Sequence, residues 1–171
     1  MDAPQTAEWG PALWGILHML AEKSGRGTGF VRQMGRGPAQ LCHADERRLW
    51  ANVITALRTS LPCPVCKQHY LEYIRTNPID PVLRIPGPEW AVALRQWLWT
   101  FHNAVRSRKG QELGLPLEQL ATMYMPATPQ FVAWKQIVQE HMRRGMFLRW
   151  LAREDLLRIF QTLDQLWLLT T

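Results

Sequence analysis

Apolar residues recur along most of this chain at spacings of three and four, and nowhere in convincing strict alternation. Over residues 9–21, Trp9, Leu13, Leu17 and Ala21 share one stripe, which predicts a first helix with Pro11 tolerated in its first turn. Gly10, Trp14 and His18 share a second stripe, stacking a gap, a flat ring and a hydrogen-bonding ring. Residues 45–59 predict a second helix, capped by Asp45 and burying Leu49, Trp50, Val53 and Leu57. A third helix starts with Pro64 in the favoured first position, carries Cys66, Tyr70, Tyr73 and Ile74 along an apolar face, and stops at Thr76-Asn77-Pro78.

A fourth helix opens at Pro88 and has the clearest amphipathic pattern, through Trp90, Leu94, Trp97, Leu98, Phe101 and Val105. On its flank Arg95, Trp99, His102 and Arg106 form a second line, with Asn103 beside it. Beyond Leu117 three or four more helical segments follow. Phe131, Trp134, Val138, His141 and Met142 mark one of them, and Leu156, Phe160, Leu163 and Trp167 another. The glycine-rich stretch 24–39 reads as a mobile loop, and the proline-rich stretch 79–88 as a connection without regular structure. The fold class is all-α, a helix bundle.

The 171 residues, 47% of them hydrophobic, suffice for one domain, or one domain with an appended piece, around a real core. The net charge of +6 is spread thinly, with no basic stripe interleaved with aromatics, so the pattern does not favour a nucleic-acid surface. No apolar run reaches the length of a membrane span, and a beginning that contains Asp2 and Glu8 does not read as a signal peptide. The expectation is a soluble protein made in a reducing compartment. Nine tryptophans are unusual usage, and flat side chains line pockets for ring cofactors as well as cores. Taken singly, the stripes at Trp14/His18 and Trp99/His102 are best read as ordinary packing and as a boundary between core and solvent.

Three cysteines cannot build a disulfide scaffold, and two of them stand as Cys63-Pro64-Val65-Cys66. A helix starting at Pro64 places Cys63 at its positive end, where a thiolate is stabilised, and buries Cys66 a turn further in. A thioredoxin-like site needs flanking strands, and none is predicted; a c-type haem needs histidine where Lys67 stands. A zinc site built from Cys63, Cys66 and His69 with Cys42 or His43 is the alternative, which would make the protein a non-enzymatic interaction module. It leaves His18, His102 and the tryptophan edges without a role.

Three blocks taken together carry more than any one of them. Trp9-Gly10-Pro11 with Trp14 and Leu17-His18, then Leu-Pro-Cys63-Pro-Val-Cys66 with His69-Tyr70, then residues 97–105 reading Trp-Leu-Trp-Thr-Phe-His-Asn-Ala-Val, resemble in order and spacing the Erv/ALR FAD-linked sulfhydryl oxidases. The style is that of the single-domain versions encoded by large DNA viruses. The resemblance implies a four-helix bundle plus a short fifth helix over residues 1–115, cradling FAD, with residues 116–171 as a helical extension packed on the bundle or at a dimer interface. It implies Cys63 as the thiol that meets substrate and Cys66 as the one nearest the flavin. Trp14 and His18 fall in the flavin and ADP pocket, with His102 and Asn103 opposite. Trp9, Gly10, His69, Tyr70, Trp99, Val105, Arg106 and Lys109 complete the implied cofactor-binding set.

The activity implied is oxidation of substrate dithiols, with electrons passed through FAD to oxygen to give hydrogen peroxide. The implied setting is a homodimer in the host cytoplasm and the virion, acting on a dithiol protein such as a thioredoxin-like viral protein. Two departures stand out. Arg106 occupies the last position of the family's His-Asn-x-Val-Asn, replacing an adenine or ribose contact with a longer cation, and Leu-Gly-Lys appears shifted as Arg108-Lys109-Gly110. Cys42 is a lone thiol outside the pair, without a partner cysteine for a shuttle.

Overall fold

The computed structural model describes residues 2–26 and 39–170, with side chains from residue 43 onward in the second stretch. Most of the predicted loop over 24–39 and the side chain of Cys42 therefore lie outside the described residues. Helices run over α1 (Thr6–Lys23), α2 (Ala39–Ser60), α3 (Pro64–Thr76), α4 (Asp80–Leu83), α5 (Glu89–Arg108), α6 (Leu120–Met123), α7 (Thr128–Phe147) and α8 (Arg153–Leu169), with a single 3₁₀ turn at Leu117–Gln119. No strand occurs among the described residues, so the architecture is all-helical.

Each predicted stripe faces inward. Leu13 and Leu17 of α1, Leu49, Trp50 and Val53 of α2, and Leu94 and Leu98 of α5 are buried in one contiguous core. Val138 and Met142 of α7 and Ile159 and Leu163 of α8 belong to the same core. The most extensive pairings are α1 with α7 and α2 with α8, so the last two helices cover the first two. Gly15 sets the approach of the first pair: a Cβ there would stand 2.7 Å from the Trp134 ring.

Three local expectations are corrected. α1 begins at Thr6 instead of Trp9, which puts Pro11 inside the helix. The extra turn is held from outside, because His141 of α7 accepts the Gln5 backbone N–H at 3.0 Å and its other ring nitrogen donates to the Glu8 carboxylate at 3.1 Å. Asp45 is no cap, since α2 starts earlier at Ala39; its carboxylate instead accepts from Arg48 at 3.2 Å, one turn along. The stretch 79–88 does hold regular structure. Asp80–Leu83 forms a helical turn with Pro81 near its start, where a missing N–H costs nothing, and Leu83 anchors it in the core.

Candidate functional site

The helix that carries the cysteine pair is organised by its own first residues. Cys63 is the N-cap of α3, with extended backbone, and its sulfur accepts the Cys66 backbone N–H at 3.1 Å. Pro64 supplies a first helical residue with φ already fixed and no N–H to satisfy. Cys63 and Cys66 are joined as a disulfide. An N–H aimed at the Cys63 sulfur, added to the positive end of the helix, favours thiolate there once the bond opens. Cys66 is half-buried, not fully buried as its place on the apolar face suggested. The reason is a cavity on that side.

This cavity, of about 700 Å³, lies between α1, α2, α3 and α5 and has Cys66 in its wall. Trp9, Gly10, Leu13 and Trp14 of α1 line one side. Tyr70 and Tyr73 of α3 and Phe101 and Val105 of α5 line the other, with Tyr73 stacked on Phe101 at 4.0 Å between ring centroids. Tyr70 is immobilised by its hydroxyl, which donates to the Ile54 carbonyl at 2.6 Å, and burial raises its pKa. Exposed cations, Arg75, Arg108 and Lys109, gather at the edge, where Arg108 lies 3.5 Å from Glu72. The Trp9 indole N–H is buried without a protein acceptor.

Of the residues singled out in the sequence, Trp9, Gly10, Trp14, Cys66, His69, Tyr70, Val105 and Lys109 line this cavity together. His18 and His102 stand one layer behind it. The His102 ring stacks on Trp14 with centroids 4.2 Å apart, His18 stacks on Tyr124 at 4.7 Å, and the two imidazoles share a hydrogen bond of 3.1 Å between His18 Nε2 and His102 Nδ1. One nitrogen donates and the other accepts, so at least the accepting ring is neutral at that contact. Burial pushes His18 from 6.5 down to about 4. Burial, with the charges of His18, Arg106 and Lys109, pushes His102 down to about 3.

The unfolded chain takes up protons at both histidines as pH falls below 6.5, while the folded chain does not until about pH 4. Stability is therefore present above pH 6.5 and lost on acidification towards pH 4. The urea midpoint should fall across that window, and should fall less in His102→Gln.

The structure takes the rest of the α5 flank elsewhere. Trp99 Nε1 donates to the Leu115 carbonyl at 2.8 Å, the Asn103 side-chain oxygen accepts the Gly114 N–H at 2.9 Å, and Arg106 reaches the Glu112 carbonyl at 3.5 Å. These three residues tie down the segment after α5 and are not part of the cavity lining. Tyr73, Phe101, Arg75 and Arg108 are wall and edge residues that motif reasoning missed. Phe101 and Tyr73 carried the right signal, an apolar face at helical spacing, but only the meeting of α3 and α5 turns that face into a wall. Among the described residues no group of three His, Cys, Asp or Glu side chains comes together as metal ligands. His43, one candidate zinc ligand, accepts the Trp90 indole N–H at 2.9 Å.

The cavity suits a large flat cofactor carrying phosphates: its size is in the range of about 300–1,000 Å³ usual for such sites, its walls are aromatic and its edge is cationic. Apolar ring faces favour an aromatic ring system, and guanidinium and ammonium groups favour a pyrophosphate. No curated protein and no solved structure matches the chain significantly. The sequence model of the Erv1/Alr family matches residues 11–122, which include every cavity-lining residue named except Trp9 and Gly10. The chain belongs to the Erv1/Alr family of FAD-linked sulfhydryl oxidases.

Proposed function

We propose that the protein is a dithiol oxidase that makes disulfides in a protein substrate through Cys63 and Cys66, with FAD in the aromatic cavity. The observation that carries this reading is the split placement of the pair: Cys66 is in the cavity wall, while Cys63 caps the helix outside that lining. A substrate thiolate attacks the Cys63 sulfur, breaking the Cys63–Cys66 bond and releasing Cys66 as thiolate. The second substrate thiolate then attacks the substrate sulfur of this mixed disulfide. Cys63 leaves as thiolate, stabilised by the helix N-terminus and the Cys66 N–H. Substrate has lost two electrons as its disulfide forms, and the enzyme pair has gained them.

Within the cavity, Trp14, Tyr70, Tyr73 and Phe101 would bound the flat rings, Cys66 would present its sulfur to them, and Arg108 and Lys109 would hold the phosphates. His18 and His102 would act as a neutral backing that fixes Trp14. The chemistry FAD supplies when bound is acceptance of the two electrons from the Cys63/Cys66 dithiol and their delivery to oxygen as hydrogen peroxide.

The wider setting is proposed on the same footing. Residues 1–115 form the oxidase unit, residues 116–171 extend it, and the protein works as a homodimer on a thioredoxin-like dithiol protein. The Leu-Pro-Cys63-Pro-Val-Cys66 form and the single redox pair support a viral version of the enzyme, acting in the host cytoplasm and the virion.

The visible absorption spectrum tests the reading. A flavin band in the purified protein should bleach on anaerobic addition of dithiothreitol and return in air. A colourless protein holding one zinc per chain would overturn it and make Cys63 and Cys66 ligands.

A further inference from the structure

The turn between α7 and α8, residues 148–152, closes on the redox helix from outside the cavity. Gly145 allows the approach, since a Cβ there would stand 2.7 Å from Leu151 and 3.0 Å from Pro62, the residue before Cys63. From the other side the Lys67 ammonium, one turn after Cys63, donates to the Trp150 carbonyl. The turn is closed by the Trp150 N–H on the Gly145 carbonyl at 2.8 Å, with Arg149 held at φ 61°, a conformation uncommon for a residue with a side chain.

Between this turn, the end of α2 and Lys67 of the redox helix lies an open groove of about 640 Å³, lined by Arg58, Lys67, Arg149 and Arg153, with Trp150 and Asp155. Asp155 is already engaged, accepting the Thr59 hydroxyl at 2.8 Å and the Ala152 N–H at 3.1 Å. Arg58, Arg149 and Arg153 are exposed to solvent. Four cations therefore line the groove against one carboxylate, which also pairs with Arg158 at 3.9 Å, next to the backbone that carries Cys63. Arg149 and Arg153 lie beyond residues 11–122, so this surface is added by the C-terminal helices.

We propose that this groove docks an acidic segment of the polypeptide dithiol substrate and so delivers its thiols to Cys63. The proposal rests on the oxidase reading above. A polypeptide fits better than a nucleic acid because the groove is lined by Lys67, which follows Cys66 and whose backbone N–H donates to the Cys63 carbonyl, on the helix whose disulfide a substrate thiol must reach. Cations that stay exposed act mainly on encounter, raising the association rate of an oppositely charged partner at low ionic strength.

Two synthetic peptides carrying Cys-x-x-Cys, one flanked by glutamates and one by lysines, supply the test. At low salt the wild-type protein should oxidise the glutamate peptide with a kcat/KM higher by about tenfold, and added salt should close the gap. The double variant Arg149→Glu/Arg153→Glu should lose or reverse the preference while oxidising dithiothreitol at the wild-type rate. Equal wild-type rates for the two peptides, alongside brisk dithiothreitol oxidation, would overturn the docking proposal alone. A wild-type protein that oxidises no dithiol would overturn the oxidase reading and the docking proposal with it. Binding of an oligothymidylate to the wild type but not the double variant, with no peptide preference, would mark a nucleic-acid surface instead.

Discussion

Cys66→Ser should keep its fold and lose dithiol-driven oxygen consumption, by a factor on the order of 10³ or more. The half-buried Cys66 sulfur lies in the wall of the cavity proposed to hold the flavin, so on that reading it passes the substrate's electrons on. A serine hydroxyl neither forms the disulfide that substrate attacks nor ionises near neutral pH to a nucleophile in place of the thiolate. Cys63→Ser should lose activity to the same extent yet retain its flavin, because Cys63 is outside the cavity lining. An oxygen electrode with a small dithiol, read beside the flavin spectrum, separates these effects. A Cys66→Ser protein that still turned over dithiothreitol would falsify the two-thiol mechanism.

Leu163→Asp should fail to fold, and Leu163→Ala should lose about 2–5 kcal/mol. Leu163 is fully buried in α8, in the same core as Trp50 and Val53 of α2. An aspartate there is a buried charge without a partner, costing several kcal/mol against a total stability of about 5–15 kcal/mol. The alanine variant leaves a cavity that the closely packed helices fill only in part. Flavin content should fall with stability, because Ile54 and Leu57 of α2 also line the cavity proposed to hold it. Urea unfolding measures the first effect and absorbance the second. An unchanged midpoint in Leu163→Ala would show α8 to be detachable from the helices it covers.

Much of the cysteine helix was legible because its parts are local. Cys63 at the helix's positive end, Pro64 as first residue and Asn77 within the stop follow from chemistry within a turn or two, and the structure keeps all three. The buried stripes of α1, α2 and α5 were equally open to reading, since helical spacing alone assigns their faces. The errors arose where a distant residue decides. Pro11 sits inside α1 because His141, more than a hundred residues away, holds an extra turn at Gln5 and Glu8. Trp99, Asn103 and Arg106 form a regular line on α5, but the segment that follows folds back and takes their hydrogen bonds.

The sequence by itself determined an all-helical fold class, the inward faces of the long helices and a cysteine pair at a helix N-terminus, because periodicity, capping and proline stereochemistry act within about four residues. Only the tertiary structure decided that α7 and α8 cover α1 and α2, that His18 meets His102 behind Trp14, and that Cys66 opens on a cavity while Cys63 does not. Those outcomes depend on which apolar face meets which, and that choice is made by close packing between segments far apart in the chain.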